Sequence, residues 1–259
     1  MSIYRNLHYF PLGLFFLFPL TFLTTYCIAV FWDHVTPILP YISETGALSP
    51  ESCIFTQMLN IGALLLGICA YIRYRQIAEF ARLHPEQAPP RILNRISGFL
   101  GFLTCIGMDI TANFQESRVS TFHFIGAFIC FSAGTLYFCV QTVITSNTTP
   151  HACSECVMYL RACLSALAFF FSIGTIFPGV MSVKYFKGKD YKKWSIDDGG
   201  FEWHLVSVIC EWLLSFTYCV YILTLLPEFR TIKFYAPVIE LHEKLQANKE
   251  IIQPELKFV

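Results

Sequence analysis

The chain has 259 residues, of which 55% are hydrophobic, 17% aromatic and only 14% charged. Apolar runs of membrane-spanning length recur along it, so the composition indicates an integral membrane protein rather than a soluble enzyme. Lysine plus arginine equals aspartate plus glutamate, 18 each, so no basic excess points to a nucleic-acid partner.

Six apolar runs predict an all-α fold, a polytopic bundle of six transmembrane helices within residues 1–234, followed by a cytosolic tail over 235–259. About 20 helical residues cross a hydrocarbon core of about 30 Å. The first run, which begins near Phe10, is too long for a signal-peptide core and is expected to remain as an anchor. The predicted spans cover residues 10–32, 53–72, 92–113, 121–144, 159–181 and 202–226.

Small residues in the fourth span predict close helix packing. Gly126, Cys130 and Gly134 stand four residues apart and therefore share one helix face. Small side chains at this spacing let two helix backbones approach closely in a membrane.

The distribution of lysine and arginine predicts the orientation of the bundle. Twelve of the 18 such residues lie on the side of the termini, among them Arg73 and Arg161, and six lie on the other side. The positive-inside rule therefore places both termini in the cytosol. The fifth loop, which carries Lys184 to Lys193, departs from the rule.

Polar side chains collect in the non-cytosolic half of the predicted membrane domain. Glu211 lies nine residues inside the last span, where an unpaired carboxylate costs at least about 3 kcal/mol, so it needs partners from other helices. Asn60 and His123 are the candidates, with Asp109 conceivable if one of the two acids is protonated. The predicted cluster consists of Asn60, Asp109, Asn113, His123, His204, Ser207 and Glu211.

This cluster has three interpretations, and the cytosolic half is expected to offer mainly Gln141. The groups could be interhelical hydrogen bonds that hold the bundle together, a cavity filled by water or a lipid headgroup, or a catalytic site. No histidine pair has the spacing of a zinc-protease helix, so neither a metal nor a cofactor is expected.

Two short motifs have the form of endosomal sorting signals, a tyrosine followed three residues later by a bulky apolar residue. They run from Tyr4 to Leu7 and from Tyr235 to Val238. Because the chain contains 13 tyrosines, chance matches to so short a pattern are expected.

Several segments, taken together, resemble the damage-regulated autophagy modulator (DRAM) family. The resemblance covers residues 9–234 and is clearest in the first non-cytosolic loop, Pro40-Tyr-Ile-Ser-Glu-Thr-Gly46, but it does not include Asp109. The other matching segments are Pro50–Cys53, Met58–Asn60, Tyr71–Tyr74, Ala112–Glu116, His123, Trp194, Phe201, His204 and Cys210–Trp212.

The resemblance implies a six-span protein of lysosomal and late endosomal membranes, with the plasma membrane as another location, that promotes autophagy and is linked to stress-induced cell death. The wider family includes proteins of GPI-anchor lipid remodelling and of phospholipid regulation. Membrane lipids, and other membrane proteins of the autophagy or lysosomal machinery, are therefore the expected partners. The family has no agreed catalytic residues, so none can be transferred to this chain.

Our hypothesis is a non-enzymatic modulator whose polar cluster binds a lipid headgroup or stabilises one packing state of the bundle. A lipid-remodelling enzyme, with His123 or His204 as its base, is the alternative. A proton-coupled transporter ranks third, because the spans show no inverted repeat. The first non-cytosolic loop is expected to form a lid over the cluster, with the motif residues Pro40, Tyr41, Ser43, Glu44 and Gly46.

Overall fold

The structure, a computed structural model, describes residues 3–4, 6–38, 40–188, 194 and 196–235. Two short strands, β1 (Ile3–Tyr4) and β2 (Phe234–Tyr235), pair in antiparallel register. Short 3₁₀ turns cover Glu44–Gly46, Pro85–Gln87 and Ile196–Asp198. The helices are α1 (Tyr9–Phe31), α2 (Glu51–Leu83), α3 (Arg91–Asn113), α4 (Glu116–Thr148), α5 (Glu155–Tyr185), α6 (Phe201–Leu223) and α7 (Leu226–Thr231).

Within the described residues, six helical segments are long and apolar enough to span a membrane, the last being α6 continued by α7. This confirms the predicted all-α, six-span architecture. Helices α2, α4 and α5 have 33, 33 and 31 residues, so they extend beyond the predicted spans. The predicted tail lies outside the described residues except for Tyr235.

Helices that are neighbours in sequence pack against one another, and α1 also contacts α6. Helices α3 and α4 are in close backbone contact at glycines. A Cβ at Gly107 would lie 2.8 Å from the Cα of Cys130, and one at Gly126 would lie 2.8 Å from the backbone nitrogen of Thr111. The close approach predicted for the small residues of the fourth span is confirmed.

The two ends of the bundle have different polar chemistry. We call the end with β1 and β2 the terminal face. The opposite end, with the connecting residues 32–38, 40–50, 186–188 and 196–200, is the distal face. Between them, large apolar side chains on the outside of the bundle remain exposed, as expected for helices surrounded by lipid.

A buried ionic cluster, here called the terminal ion cluster, consists of Arg73, Arg161 and Glu228. Their exposed fractions are 0%, 1% and 4%. Arg73 Nη1 lies 2.8 Å from Glu228 Oε1, and Arg161 Nη2 donates to Glu228 Oε2. The sequence-based expectation that this half contains mainly Gln141 is therefore wrong. The sequence pattern places both arginines among the flanking charges of the positive-inside rule, whereas each points into the bundle, where a guanidinium requires a carboxylate partner.

Neutral side chains also hydrogen-bond to the arginines of the terminal ion cluster. Arg73 Nε donates to Gln141 Oε1 at 3.0 Å, and the Gln141 amide donates in turn to Ser97 Oγ at 2.6 Å. Arg161 donates to Thr145 Oγ1 and Thr224 Oγ1, each at 2.9 Å. Together these contacts join α2, α3, α4, α5 and α7, with Thr224 from the junction between α6 and α7.

Candidate functional site

The segment from Pro40 to Ala47 is inserted into the distal end of the bundle, and we call it the distal plug. Ile42 and Ala47 are only 5% and 2% exposed. The indole N–H of Trp212 donates to the carbonyl of Pro40 at 2.9 Å, and Ser117 Oγ donates to the carbonyl of Ala47 at 2.6 Å. Hydrogen bonds therefore anchor the plug to α4 and α6, and it forms part of the wall of the bundle. The predicted role of this loop as a lid stays a prediction.

Glu211 meets the backbone of the distal plug. It is 6% exposed, and its Oε2 accepts a hydrogen bond from the backbone N–H of Ile42 at 2.8 Å. Among the described residues this is its one hydrogen bond. The partner is a loop backbone group rather than the side chain of Asn60 or His123 that the sequence suggested. A backbone N–H carries no residue-type signal, so sequence patterns could not reveal it.

Asn60, Asp109 and Asn113 form a separate polar group between α2 and α3. The Asn113 amide donates to Asn60 Oδ1 at 3.0 Å and to Asp109 Oδ1 at 3.2 Å, and Asn60 Nδ2 donates to Asn113 Oδ1 at 3.2 Å. Asp109 and Asn113 are exposed, and none of the three lines the cavity that Glu211 lines. The structure thus divides the predicted cluster into two groups.

His204 is packed among aromatic rings and is 5% exposed. Its ring lies parallel to that of Trp194, with the centroids 4.3 Å apart, and meets the Tyr41 ring edge-on at 5.0 Å. Its Nδ1 has no hydrogen-bond partner among the described residues. Burial raises the pKa of the Tyr41 phenol, which therefore stays neutral. This aromatic packing holds the plug against α6.

His123 and Glu116 are contributed by the first turns of α4. His123 is 2% exposed, and its Nδ1 donates to the carbonyl of Phe114 at 2.8 Å. Because a carbonyl can only accept, the neutral ring carries its free lone pair on Nε2. Glu116 Oε2 accepts a hydrogen bond from Ser43 Oγ at 3.0 Å, which ties α4 to the distal plug.

A cavity of about 780 Å³ lies between the distal halves of α4 and α5, with α6 and the distal plug behind it. It is the size of the pockets that hold small organic ligands. One part of its wall is polar and the rest is apolar. The polar wall includes Tyr41, Ser43, Glu44, Glu116, Ser117, Ser120, His123, Thr175, Ser182, Ser207 and Glu211, and the apolar wall includes Phe124, Phe128, Phe131, Ile176, Val180 and Val183.

Helices α4 and α5 are joined at one end and separated at the other. Their direct side-chain hydrogen bonds within the described residues lie in the terminal half, as between Thr142 and Ser165 at 2.7 Å and from Ser165 to the carbonyl of Phe138 at 3.2 Å. In the distal half α5 is bonded to α6 instead, since Ser207 Oγ donates to the carbonyl of Thr175 at 2.6 Å. The cavity occupies the gap that this divergence leaves.

A second, smaller cavity of about 100 Å³ extends the site toward the bundle interior. Glu211 and His123 line both cavities. The rest of the smaller cavity is lined mostly by apolar side chains, among them Phe18 and Leu66. The buried carboxylate of Glu211 therefore lies where the two cavities meet.

Sequence reasoning missed several residues of the cavity wall, notably Glu116, Ser182 and Trp194. Glu116 could have been found from the sequence, because it belongs to a segment that carries the family resemblance. It is also a carboxylate at the distal start of a span, where a polar group can line a site at the membrane surface. Ser182 carried no signal, because serine is common within apolar helices and only the divergence of α4 and α5 exposes it to a cavity.

The two tyrosine motifs lie at the terminal face. The backbones of Tyr4 and Phe234 are paired, as are those of Ile3 and Tyr235. Leu7 is 5% exposed and belongs to the hydrophobic core of the bundle, so the first motif would have to leave the bundle before another protein could bind it. Val238 lies outside the described residues. A sorting role for either motif stays a prediction.

The sequence matches a family model described as the Frag1/DRAM/Sfk1/Cwh43P N-terminal domain over residues 6–232. This range includes every described helix. No solved structure matches the chain.

Curated relatives match over most of their length. DNA damage-regulated autophagy modulator protein 2 of Mus musculus is 34% identical over 223 residues, which cover 82% of this chain and 79% of the relative. The protein of the same name from Homo sapiens is 32% identical over 237 residues, covering 88% and 86%. DNA damage-regulated autophagy modulator protein 1 of Xenopus laevis is 35% identical over 222 residues, covering 86% and 90%.

Proposed function

The chain belongs to the Frag1/DRAM/Sfk1/Cwh43P family, and from this premise we propose that it is a non-enzymatic membrane modulator of autophagy that acts by binding a lipid. Its relatives are named autophagy modulators, which supports the biological process. The observation that carries the lipid mechanism is the cavity between the distal halves of α4 and α5, with the carboxylate of Glu211 in its wall.

The position of the cavity suits a lipid better than a water-soluble ligand. Phe124, Phe128, Val180 and Val183 line it, and each is between 53% and 64% exposed on helices that span the membrane. Exposed apolar side chains at that depth face acyl chains, so a lipid could enter sideways between α4 and α5. The buried polar wall would then hold the headgroup.

The proposed location is the lysosomal or late endosomal membrane, with the termini in the cytosol. In this orientation the terminal ion cluster lies toward the cytosol, and the distal plug and the cavity lie in the luminal half. The excess of lysine and arginine on the side of the termini supports this orientation.

A pair of matched substitutions tests the proposal. We expect Glu211→Gln to keep the protein level but to lower both the phospholipid that co-purifies with the protein and the autophagic flux in cells that depend on it. Asn60→Leu is the control, because it removes a polar group of similar depth from the α2–α3 surface outside the cavity. Flux is measured as the inhibitor-sensitive turnover of an autophagosome marker.

The opposite results are equally clear. If Glu211→Gln leaves co-purified lipid and flux unchanged, the cavity is incidental to the function. Turnover of a labelled phospholipid by the purified wild-type protein, abolished by His123→Ala or His204→Ala, would instead establish the enzyme alternative.

A further inference from the structure

The chemistry of the cavity wall indicates the kind of headgroup it would hold, an inference that rests on the lipid-binding function proposed above. Glu116 and Glu211 present carboxylates to the cavity, and Glu44, whose Oε2 accepts a hydrogen bond from the backbone N–H of Tyr41 at 2.8 Å, also lines it. Within the part of the chain that the structure describes, no lysine or arginine lines it. Guanidinium and ammonium groups are common ligands of phosphate, whereas the carboxylates of this wall repel a phosphorylated anionic headgroup.

The buried arginines cannot supply that charge from a distance. Arg73 and Arg161 belong to the terminal ion cluster, in the other half of the bundle, and Glu228 occupies both of them. Among the residues that the structure describes, the charged groups of the cavity wall are therefore carboxylates, which attract a cation.

The wall offers hydrogen-bond acceptors to such a cation. Glu211 uses Oε2 for the backbone N–H of Ile42, and among the described residues nothing donates to its Oε1. His123 donates through Nδ1 to a backbone carbonyl, so Nε2 is the ring nitrogen left to meet a ligand. A primary ammonium group has three N–H donors and matches such acceptors.

The aromatic residues argue against a quaternary ammonium group. Quaternary headgroups are bound through the open faces of aromatic rings. Trp194 is the indole of the cavity wall, but its ring is stacked on His204 at 4.3 Å and packed by Phe186 at 4.5 Å. The Trp194 face against His204 is therefore occupied, and the described phenylalanines of the wall, Phe124, Phe128 and Phe131, lie on its apolar side, where the acyl chains would pack.

We propose that the cavity binds a phospholipid with a primary-amine headgroup, of the phosphatidylethanolamine type. The ammonium lies among Glu211, Glu116 and His123, and the acyl chains leave between α4 and α5. Ser120, at the distal start of α4, lies on the polar wall and offers a hydroxyl donor to the phosphate. The ligand thus gives a donor to the Glu211 carboxylate, which among the described residues accepts one hydrogen bond only.

The test measures binding of tritiated dioleoyl phosphatidylethanolamine to the purified full-length protein in detergent micelles. Competitors are unlabelled dioleoyl phosphatidylethanolamine, phosphatidylcholine and phosphatidylglycerol, which share acyl chains and differ in the headgroup. We expect the ethanolamine lipid to compete about tenfold better than the choline lipid, as the loss of a charge-assisted hydrogen bond implies, and the glycerol lipid to compete least.

Variants assign the preference to the proposed site. Glu211→Gln should lower the affinity for the ethanolamine lipid about tenfold and remove most of its advantage over the choline lipid. Asn60→Leu should change neither. If Glu211→Gln does not yield folded protein, Glu116→Gln tests the same preference from the half-buried start of α4.

The outcomes separate this inference from the function on which it depends. Saturable binding with equal competition by all three lipids, or with the glycerol lipid strongest, overturns the amine preference and leaves the lipid site standing. Absence of saturable binding of any of the three lipids overturns the lipid site as well. An ethanolamine preference that persists in both glutamate variants would place the headgroup elsewhere.

Discussion

Glu228 is the residue that most clearly stabilises the terminal half of the bundle. Two guanidinium groups, those of Arg73 and Arg161, converge on its carboxylate, and all three side chains are almost completely buried. Arginine does not lose its proton in proteins, so removing the carboxylate leaves two buried positive charges without a counter-charge. Breaking a buried ion pair at one partner is strongly destabilising for this reason.

We therefore predict that Glu228→Gln lowers the free energy of unfolding by about 3–5 kcal/mol. The measurement is the thermal stability of the purified protein in detergent, followed by size-exclusion chromatography of heated samples. Glu79→Gln is the matched control, because Glu79 pairs with Arg82 on the exposed surface of α2. Surface pairs contribute little, so the control should melt like the wild type. Equal melting of both variants would contradict a stabilising role for the terminal ion cluster.

At the scale of elements, the pairing of α3 with α4 is set by glycine. Gly107 and Gly126 face each other's helix so closely that a methyl group at either position would meet backbone atoms within 3 Å. Backbone cannot move aside as a flexible side chain does, so the two helices would have to separate. This contact also fixes the distal half of α4, one wall of the cavity, while α5 diverges from it.

We predict that Gly107→Ala destabilises the bundle by about 1–3 kcal/mol, the usual cost of overpacking. Gly13→Ala is the control, since a Cβ at Gly13 of α1 would meet nothing within 4 Å and alanine is the better helix former. Thermal melting in detergent distinguishes them. A Gly107→Ala protein as stable as the Gly13→Ala protein would show that α3 and α4 do not pack as described.

For the molecule as a whole, the two faces differ in what they present to water. The terminal face carries β1 and β2 beside the buried cluster of two arginines and one glutamate, whereas the distal face carries the plug above a cavity lined by carboxylates. Exposed cysteines mark both faces, Cys156 at the terminal start of α5 and Cys53 at the distal start of α2. Orientation in the membrane can therefore be measured without altering the chain.

We predict that a membrane-impermeant maleimide applied from the cytosol to cells with a selectively permeabilised plasma membrane labels Cys156 and spares Cys53. Mass mapping of labelled peptides locates the modification, and detergent treatment, which opens the organelle, should then allow labelling of Cys53 as well. Labelling of Cys53 from the cytosol, with Cys156 protected, would mean that the protein is inserted the other way round.

The sequence by itself determined the six spans, because the length and apolarity of a run decide whether it can cross a bilayer. It also identified Glu211, His123 and His204 as unusual, because a polar group within a long apolar run is visible without knowing its neighbours. The close packing of α4 followed from the spacing of its small residues. Each of these properties is local in the chain.

Only the tertiary structure decided which groups meet. Glu211 is bonded to a backbone N–H 169 residues earlier, and Asn60 is bonded to Asn113 on another side of the bundle. Arg73 and Arg161, which in the sequence look like ordinary flanking charges, turn inward to a shared carboxylate. These contacts depend on the rotation of each helix about its axis and on the path of the loop. Neither composition nor periodicity determines that rotation or that path, because many arrangements of six apolar helices would bury similar apolar surface.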